Sequence, residues 1–241
     1  MRKATILLLA AVFIAPSASA DTCFKIKSHT DANYHHGAMV PAEDSETELW
    51  VGEGRMAFID EDRHLIFNLE DSTLVILEPA DSGYVETALP LDLTKIVPPD
   101  FVQRLAMFPY TGEVSPLEGT KEVLGRKCRS FMLHHWIDYN QAKYNETERT
   151  VWVCDDLGIG SDYAGTWLRT MYTMSNFKPE LVDAIVDAGG WDLLSTSVRY
   201  SEGQQVKSSR EVLEISETEP GDDVYSIPGY FKKKDFINVG R

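Results

Sequence analysis

The stretch WVGEGRMAFIDEDRHLIFNLEDSTLVILEPADSGYVETAL, residues 50–89, decides the fold class of this chain. Within it, apolar runs of about five to eight residues alternate with acidic or glycine-containing turns. The turns are expected at residues 52–54, 61–62, 71–72 and 81–83. This alternation is typical of an antiparallel β-meander. The sequence therefore predicts a sheet here, and it contains no pattern that points to a reaction.

The two central turns of this meander give registers that agree. The turn at 61–62 places Phe58 opposite Leu65, and the turn at 71–72 places Phe67 opposite Ile76. Side chains alternate with a period of two along a strand, so both hairpins put the same large apolar side chains on one face. The opposite face is also fairly apolar, and we expect part of it to be covered. The predicted inner face carries Trp50, Met56, Phe58, Leu65, Phe67 and Ile76.

Residues 1–20 have the form of a secretory signal peptide. A positively charged start, a short apolar stretch and a small-residue cleavage site follow one another. The apolar stretch is too short to span a membrane, and no later window of the sequence is long enough. We therefore expect cleavage after Ala20, export to the periplasm and a single domain over residues 21–241.

The mature chain is expected to be strongly acidic. The full sequence has 23 Lys and Arg against 38 Asp and Glu, and loss of Arg2 and Lys3 leaves 21 against 38, a formal charge of −17. Such a surface repels phosphate backbones and anionic headgroups. The charge argues against nucleic acid as a partner and predicts a preference for neutral or cationic amphiphiles.

Three cysteines in an exported chain predict one disulfide and one remaining thiol. Strands at 126–137 and 144–154, joined by a polar turn, place Cys128 opposite Cys154. Cross-strand Cβ atoms lie about 4.5–5.5 Å apart, close to what a disulfide needs. We expect a Cys128–Cys154 bond and a free Cys23 near a terminus that can fray. The alternative is that the two paired cysteines are ordinary core residues.

The rest of the chain alternates helices with strands. Proline residues begin two of the expected helices, and Asp162 is the expected N-cap of the third. The order of strands, helix, strands, helices and strands predicts an α+β fold with a mainly antiparallel sheet. The expected helices are 98–108, 162–174 and 179–188, and the expected later strands are 119–137, 144–154, 192–201 and 205–216.

No catalytic signature is present: the sequence lacks a Gly-x-Ser-x-Gly, a His-Glu-x-x-His, a Gly-x-Gly-x-x-Gly and a phosphate-binding loop. Two histidine doublets occur, at 35–36 and 134–135. The second cannot chelate as a doublet because neighbouring strand residues point to opposite faces, and we expect His134 beside Glu148. We expect no enzymatic activity, no cofactor and no metal site. A hydrolase is the alternative, which a buried carboxylate beside His64 or His134 would favour.

The tryptophan and methionine side chains suggest an adaptable apolar ligand cavity between sheet and helices. The alternative is that they form ordinary core. The candidate cavity residues are Trp50, Met56, Phe58, Leu65, Phe67, Ile76, Trp167, Met171 and Met174.

Short stretches spread over most of the mature chain carry a family resemblance: 48–50 with 55–60, 73–78 with Tyr84, 125–128, 151–153 and 227–231. They resemble the periplasmic proteins of the LolA/LolB-like superfamily, and the nearest branch is an uncharacterised family of exported domains. The resemblance implies an incomplete β-barrel, a curved antiparallel sheet closed by helices over an apolar cavity. It also implies a non-enzymatic carrier of an acyl-chain or lipoprotein-like ligand. The alternative is an envelope protein-interaction or stress-sensing module.

Overall fold

The structure is a computed structural model that describes residues 20–35, 37–201 and 203–239. The predicted signal peptide lies outside the described residues except for Ala20, and so does His36 of the first histidine doublet. The described residues form three α-helices and fourteen β-strands. In this part of the chain no helix is both long and apolar enough to cross a membrane.

Twelve of the strands form one sheet that is curved but not closed into a barrel. Its spatial order is β14-β8-β7-β6-β5-β4-β1-β13-β12-β11-β10-β9, and all neighbours are antiparallel except β14 and β8. The strands are β1 Asp21–Thr30, β2 Asn33–His35, β3 Ala38–Val40, β4 Glu43–Gly52, β5 Arg55–Ile59, β6 His64–Asn68, β7 Thr73–Glu78, β8 Gly83–Ala88, β9 Tyr110–Val123, β10 Arg126–Tyr139, β11 Ala142–Cys154, β12 Trp191–Ser201, β13 Gln204–Thr218 and β14 Lys232–Lys233.

The three helices begin and end close to the predicted positions: α1 is Pro99–Met107, α2 is Ser161–Met174 and α3 is Pro179–Ala188. Proline suits the start of α1 and α3 because the first turn of a helix needs no N–H from it. Gly189 ends α3 with a φ of +62°, a conformation that favours glycine. The N-cap of α2 is Gly160 and not Asp162 as predicted, since Asp162 is the second residue of the helix.

The meander is confirmed as β5 to β8, and Phe58 pairs with Leu65 as predicted. The register of the next hairpin is wrong by two residues, because Phe67 pairs with Leu74 and not with Ile76. Its turn has four residues, and the Asn68 side chain closes it by accepting a hydrogen bond from the backbone N–H of residue 71 at 3.1 Å. A shift of two residues keeps every side chain on its face. The prediction that these apolar side chains share one face of the sheet is therefore still correct.

Trp50 lies on the opposite face from the one predicted. It pairs with Ala57 across β4 and β5, while Met56 points to the other side of the sheet. Trp50 packs there with Cys23 and Val224. A three-residue turn at 52–54 would place Trp50 opposite Met56, whereas Gly52 pairs with Arg55 across a two-residue turn, and this difference of one residue moves Trp50 to the other face. The same packing shows that the second face of the meander is covered in part, as expected.

The predicted disulfide is not formed in the structure, although its register is confirmed. Arg129 pairs with Val153, which brings Cys128 and Cys154 to facing positions, yet both are free buried thiols. Each thiol donates to a separate backbone carbonyl instead. Cys23 does not lie at a fraying end, because β1 is an inner strand between β4 and β13. The bond itself stays a prediction for the oxidised protein.

Two strand regions differ from the prediction. The segment predicted as one strand over 119–137 is divided between β9 and β10 by a tight turn at Leu124 and Gly125, which have φ values of +51° and +71°. Such a pair of positive φ values matches the turns that join hairpins with two-residue loops. The strands β1 and β4 are not evident in the sequence because charged and polar residues interrupt their apolar pattern.

Candidate ligand-binding site

Most of the predicted cavity residues form close-packed core. Met56, Phe67 and Ile76 have no exposed surface, and Leu65 is 2% exposed. They form one apolar cluster with Trp167 of α2. The ring centroids of Phe67 and Trp167 are 6.1 Å apart in an edge-on arrangement. The helix therefore packs on the inner face of the meander, as predicted.

A cavity of about 190 Å³ remains between α2 and the sheet. We call it the aromatic gap. It brings together three of the predicted residues, Phe58, Trp167 and Met171, and the ring centroids of the first two are 5.0 Å apart. Met174 lies elsewhere, against the C-terminal segment at residues 237–239. The apolar lining of the aromatic gap is Phe58, Trp167, Leu168, Met171 and Tyr172.

The polar wall of the aromatic gap consists of Arg149, Asp192 and Arg210, which we call the arginine cluster. Arg149 Nη2 donates to Asp192 Oδ2 and to Ser195 Oγ, each at 2.8 Å, and Arg149 Nη1 donates to the Tyr172 hydroxyl at 3.3 Å. Arg210 Nη1 donates to the backbone carbonyl of Asp192 at 3.0 Å. One carboxylate thus holds two guanidinium groups on the inner face of the sheet.

A second cavity, of about 280 Å³, lies on the other side of the arginine cluster. We call it the serine pocket, and Arg149 and Arg210 border both cavities. The pairing of the strands explains which residues line the serine pocket, since Ser197 on β12 pairs with Arg149 on β11 and with Ser208 on β13. Alternate positions of neighbouring strands meet there and carry hydroxyl groups. Its further lining includes Ser28, Thr30, His135, Thr147 and Ser195.

His135 is a neutral imidazole in this environment. Burial and, to a smaller extent, the nearby positive charge of Arg149 lower its pKa from the ordinary 6.5 to about 4. Its Nδ1 atom is buried without a hydrogen-bond partner. Because arginine stays protonated at any ordinary pH, the two guanidinium groups and the carboxylate of Asp192 leave one net positive charge in this region.

A larger, open cleft of about 650 Å³ lies on the other side of α2, against the turns of the meander. The Tyr163 hydroxyl accepts a hydrogen bond from the N–H of Gly54 at 2.9 Å and ties the helix to the turn between β4 and β5. Glu70 and Arg169 contribute charges of both signs to its lining. Such a mixed lining gives no single ligand chemistry, unlike the arginine cluster.

His29, His64 and His134 contact carboxylates or backbone rather than one another. His134 pairs with Glu148 in the sheet as predicted, but its ring contacts Glu146 at 2.8 Å and Glu113 at 3.4 Å. His64 contacts the backbone carbonyl of Val224 at 2.8 Å. Within the described ranges, no group of three or more His, Cys, Asp or Glu side chains could hold a metal ion.

Sequence reasoning missed the arginine cluster and the serine pocket. No alternation marks these residues in the sequence, because residues 195–197 on β12 and 207–211 on β13 are unbroken polar runs. Such runs do not show which of the two faces of a strand is buried. Only the cross-strand register shows that these residues share the inner face.

Comparisons with known proteins leave the family of this chain open. No protein-family model matches the sequence, and no curated protein matches it. Among solved structures, a crystal structure from Vibrio parahaemolyticus, provisionally described as an outer membrane lipoprotein-sorting protein domain, matches 85% of this chain and 88% of its own. The identity is 7% and the TM-score is 0.30. A TM-score this low does not support a functional assignment. The site is therefore described from its own geometry.

Proposed function

We propose that this protein is an exported, periplasmic binding or carrier protein without enzymatic activity. Its ligand would be amphiphilic, with the apolar part, such as an acyl chain, held between α2 and the sheet. The observation that carries the proposal is the aromatic gap, a cavity with one apolar and one charged wall on the helix-covered face of an open sheet. The leader-like residues 1–20 and the resemblance to lipoprotein carriers support the compartment and the ligand class.

The energetics suit a flexible hydrocarbon. Each buried methylene contributes about 0.8 kcal/mol, and the thioether of Met171 can adapt to irregular shapes. The gap of about 190 Å³ is below the roughly 300–1,000 Å³ of ordinary ligand pockets. We therefore expect α2 to move outward when a chain longer than a few carbons enters.

A fluorescent fatty-acyl probe titrated into the folded protein tests the proposal. Saturable binding is expected, and Met171→Asp should weaken it at least about tenfold because a carboxylate would enter the apolar lining. Met107→Asp on α1 is the matched control, since Met107 is 60% exposed. Absence of saturable binding by the wild-type protein would contradict the carrier function.

A second candidate function is an envelope protein-interaction module. A group of exposed aromatic side chains at the tip of the β10–β11 hairpin favours it: Tyr139 is 47% and Tyr144 51% exposed, with ring centroids 5.8 Å apart. Exposed apolar patches often mark interaction surfaces. Native mass spectrometry of protein purified from its own envelope separates the two functions, because a bound lipid and a bound protein add very different masses.

A further inference from the structure

We propose that the serine pocket binds an oxyanion, a phosphate or carboxylate group, on Arg149 and Arg210. In the ligand of the proposed function this oxyanion would be the headgroup, and its apolar part would occupy the aromatic gap. The headgroup assignment rests on the proposed carrier function, whereas the anion site itself stands on the geometry of the pocket alone.

The first argument is the local charge. Asp192 is the one carboxylate within the arginine cluster, and its Oδ2 atom lies 2.8 Å from Arg149 and 3.3 Å from Arg210. The side chains of the two arginines are only 24% and 21% exposed. Water therefore compensates the excess positive charge incompletely, and an anion entering the pocket would complete the pairing.

The second argument is the set of unused donors. Among the described residues, Arg210 makes one hydrogen bond, from Nη1 to the backbone carbonyl of Asp192. Its Nε and Nη2 atoms form the fork that binds carboxylate and phosphate oxygens in pairs. Arg149, by contrast, uses both terminal nitrogens on protein partners. Arg210 is thus the residue with free capacity for a ligand.

The third argument is the remainder of the lining. Hydroxyl groups of Ser28, Ser197 and Ser208 border the same cavity, and each can donate to an anion oxygen. His135 borders the same cavity, and its buried Nδ1 atom has no hydrogen-bond partner. A neutral imidazole carries one N–H, so it can donate to an anion without a charge of its own.

The fourth argument is position. Because Arg149 and Arg210 border the aromatic gap and the serine pocket alike, one amphiphile could place its chain in the first and its head in the second. The preference for neutral or cationic amphiphiles that the net charge predicts is then reversed at short range. Exposed surface charges more than about 8–10 Å away are largely screened by salt, whereas the arginines would contact the headgroup directly.

Isothermal titration calorimetry with three probes tests the proposal: inorganic phosphate, dodecyl phosphate, and dodecyltrimethylammonium below its micelle concentration. We expect phosphate to bind, dodecyl phosphate to bind more tightly than either other probe, and Arg210→Gln to weaken both phosphates at least about tenfold. Ser197→Val is a second variant, which replaces a hydroxyl donor by apolar bulk while keeping the arginine cluster, and it should also weaken both phosphates. Arg104→Gln, which removes the same charge from an exposed position on α1, should change nothing.

The outcomes separate the two proposals. Equal binding of both dodecyl probes, unaffected by Arg210→Gln and Ser197→Val, would overturn the anion site and leave the carrier function standing. Phosphate binding that depends on Arg210, without binding of either dodecyl probe, would support the anion site and contradict the carrier function. Dodecyl phosphate no tighter than inorganic phosphate would overturn the headgroup assignment. Loss of binding in a variant counts only if its melting transition matches that of the wild-type protein.

Discussion

The meander β5–β8 and the long strands β11–β13 contribute to the same inner face of one sheet, yet the long strands add a polar part to apolar core residues such as Val151 and Val212. In the meander the inward positions of β5 and β6 are residues such as Met56 and Phe67, which are fully buried beneath α2. On the long strands the inward positions include Arg149, Ser197 and Arg210. The same strand alternation thus produces a hydrophobic core at one end and a polar pocket at the other.

This difference separates stability from binding. Buried apolar side chains stabilise the fold roughly in proportion to the area they remove from water. Two guanidinium groups sharing one carboxylate gain little net stability, because desolvation offsets their attraction. A cluster that contributes so little to folding is easier to explain by a ligand than by the core. Variants in the two regions should accordingly have different consequences.

The largest effect is expected in the meander. Phe67→Ala should lower the free energy of unfolding by about 3–5 kcal/mol, since it opens a cavity beside Trp167 in a close-packed cluster. Ser197→Ala, at an inward position on β12, should change it by less than about 0.5 kcal/mol. Urea denaturation of both variants measures the contrast. Equal losses would mean that the polar half is as much a part of the core as the meander.

The arginine cluster gives the next largest effect. Asp192→Asn leaves Arg149 and Arg210 without their carboxylate and should cost about 2–4 kcal/mol. Asp183→Asn is the matched control, because Asp183 is 59% exposed and pairs with Arg169 on the surface at 2.7 Å. It should cost less than about 1 kcal/mol.

Thermal unfolding in inorganic phosphate sharpens this comparison. If an anion occupies the serine pocket, phosphate should stabilise Asp192→Asn, whose two arginines lack their carboxylate, more than it stabilises Asp183→Asn, whose pocket is that of the wild-type protein. A cost for Asp192→Asn no larger than that of Asp183→Asn would contradict the buried-charge interpretation.

The cysteine pair of the β10–β11 hairpin gives a third effect. An oxidised Cys128–Cys154 pair should be more stable than the reduced protein by roughly 2–4 kcal/mol on the loop-closure argument. Burial raises the pKa of Cys128 to about 11, so little thiolate is present and oxidation of the folded protein should be slow. Non-reducing peptide mapping of exported protein identifies the bond, and Cys23→Ser should leave it intact. A bridge that contains Cys23 would contradict the prediction.

The sequence was sufficient where turns are short and strands are apolar. The turn before His64 fixed the pairing of Phe58 with Leu65 because the polar run 60–63 is centred on the predicted turn. Helices α1 and α3 were predicted for similar reasons, from proline at their starts and glycine at the end of α3. Both kinds of signal are local, and local chemistry can be read from the sequence.

The site could not be predicted because it depends on pairings between distant segments. β1 lies between β4 and β13, which joins residues nearly two hundred positions apart, and Ser28 meets Arg210 only through that pairing. Trp50 was assigned to the wrong face for a local reason, since the turn between β4 and β5 is one residue shorter than expected. When a strand mixes polar and apolar residues, the strands that it pairs with determine which of its faces is buried.

The smallest expected effect is the change in folding stability with pH that His135 causes. Its folded-state pKa of about 4 lies below the ordinary 6.5, so the unfolded chain binds more protons between these values and stability falls as the pH drops through that window. The loss attributable to His135 should be about 1–2 kcal/mol between pH 7 and pH 5, and His135→Gln should remove it. His29, which borders the same pocket, should show the opposite sign in His29→Gln, because hydrogen bonds to Asp44 and Asp31 raise its pKa. An anion in the serine pocket would favour the imidazolium form, so phosphate should reduce the acid-induced loss in the wild-type protein and leave His135→Gln unchanged in this respect. Urea denaturation from pH 7 to pH 5, with and without phosphate, measures both differences, and identical pH profiles for the wild-type protein and His135→Gln would show that His135 is not the buried neutral group described above.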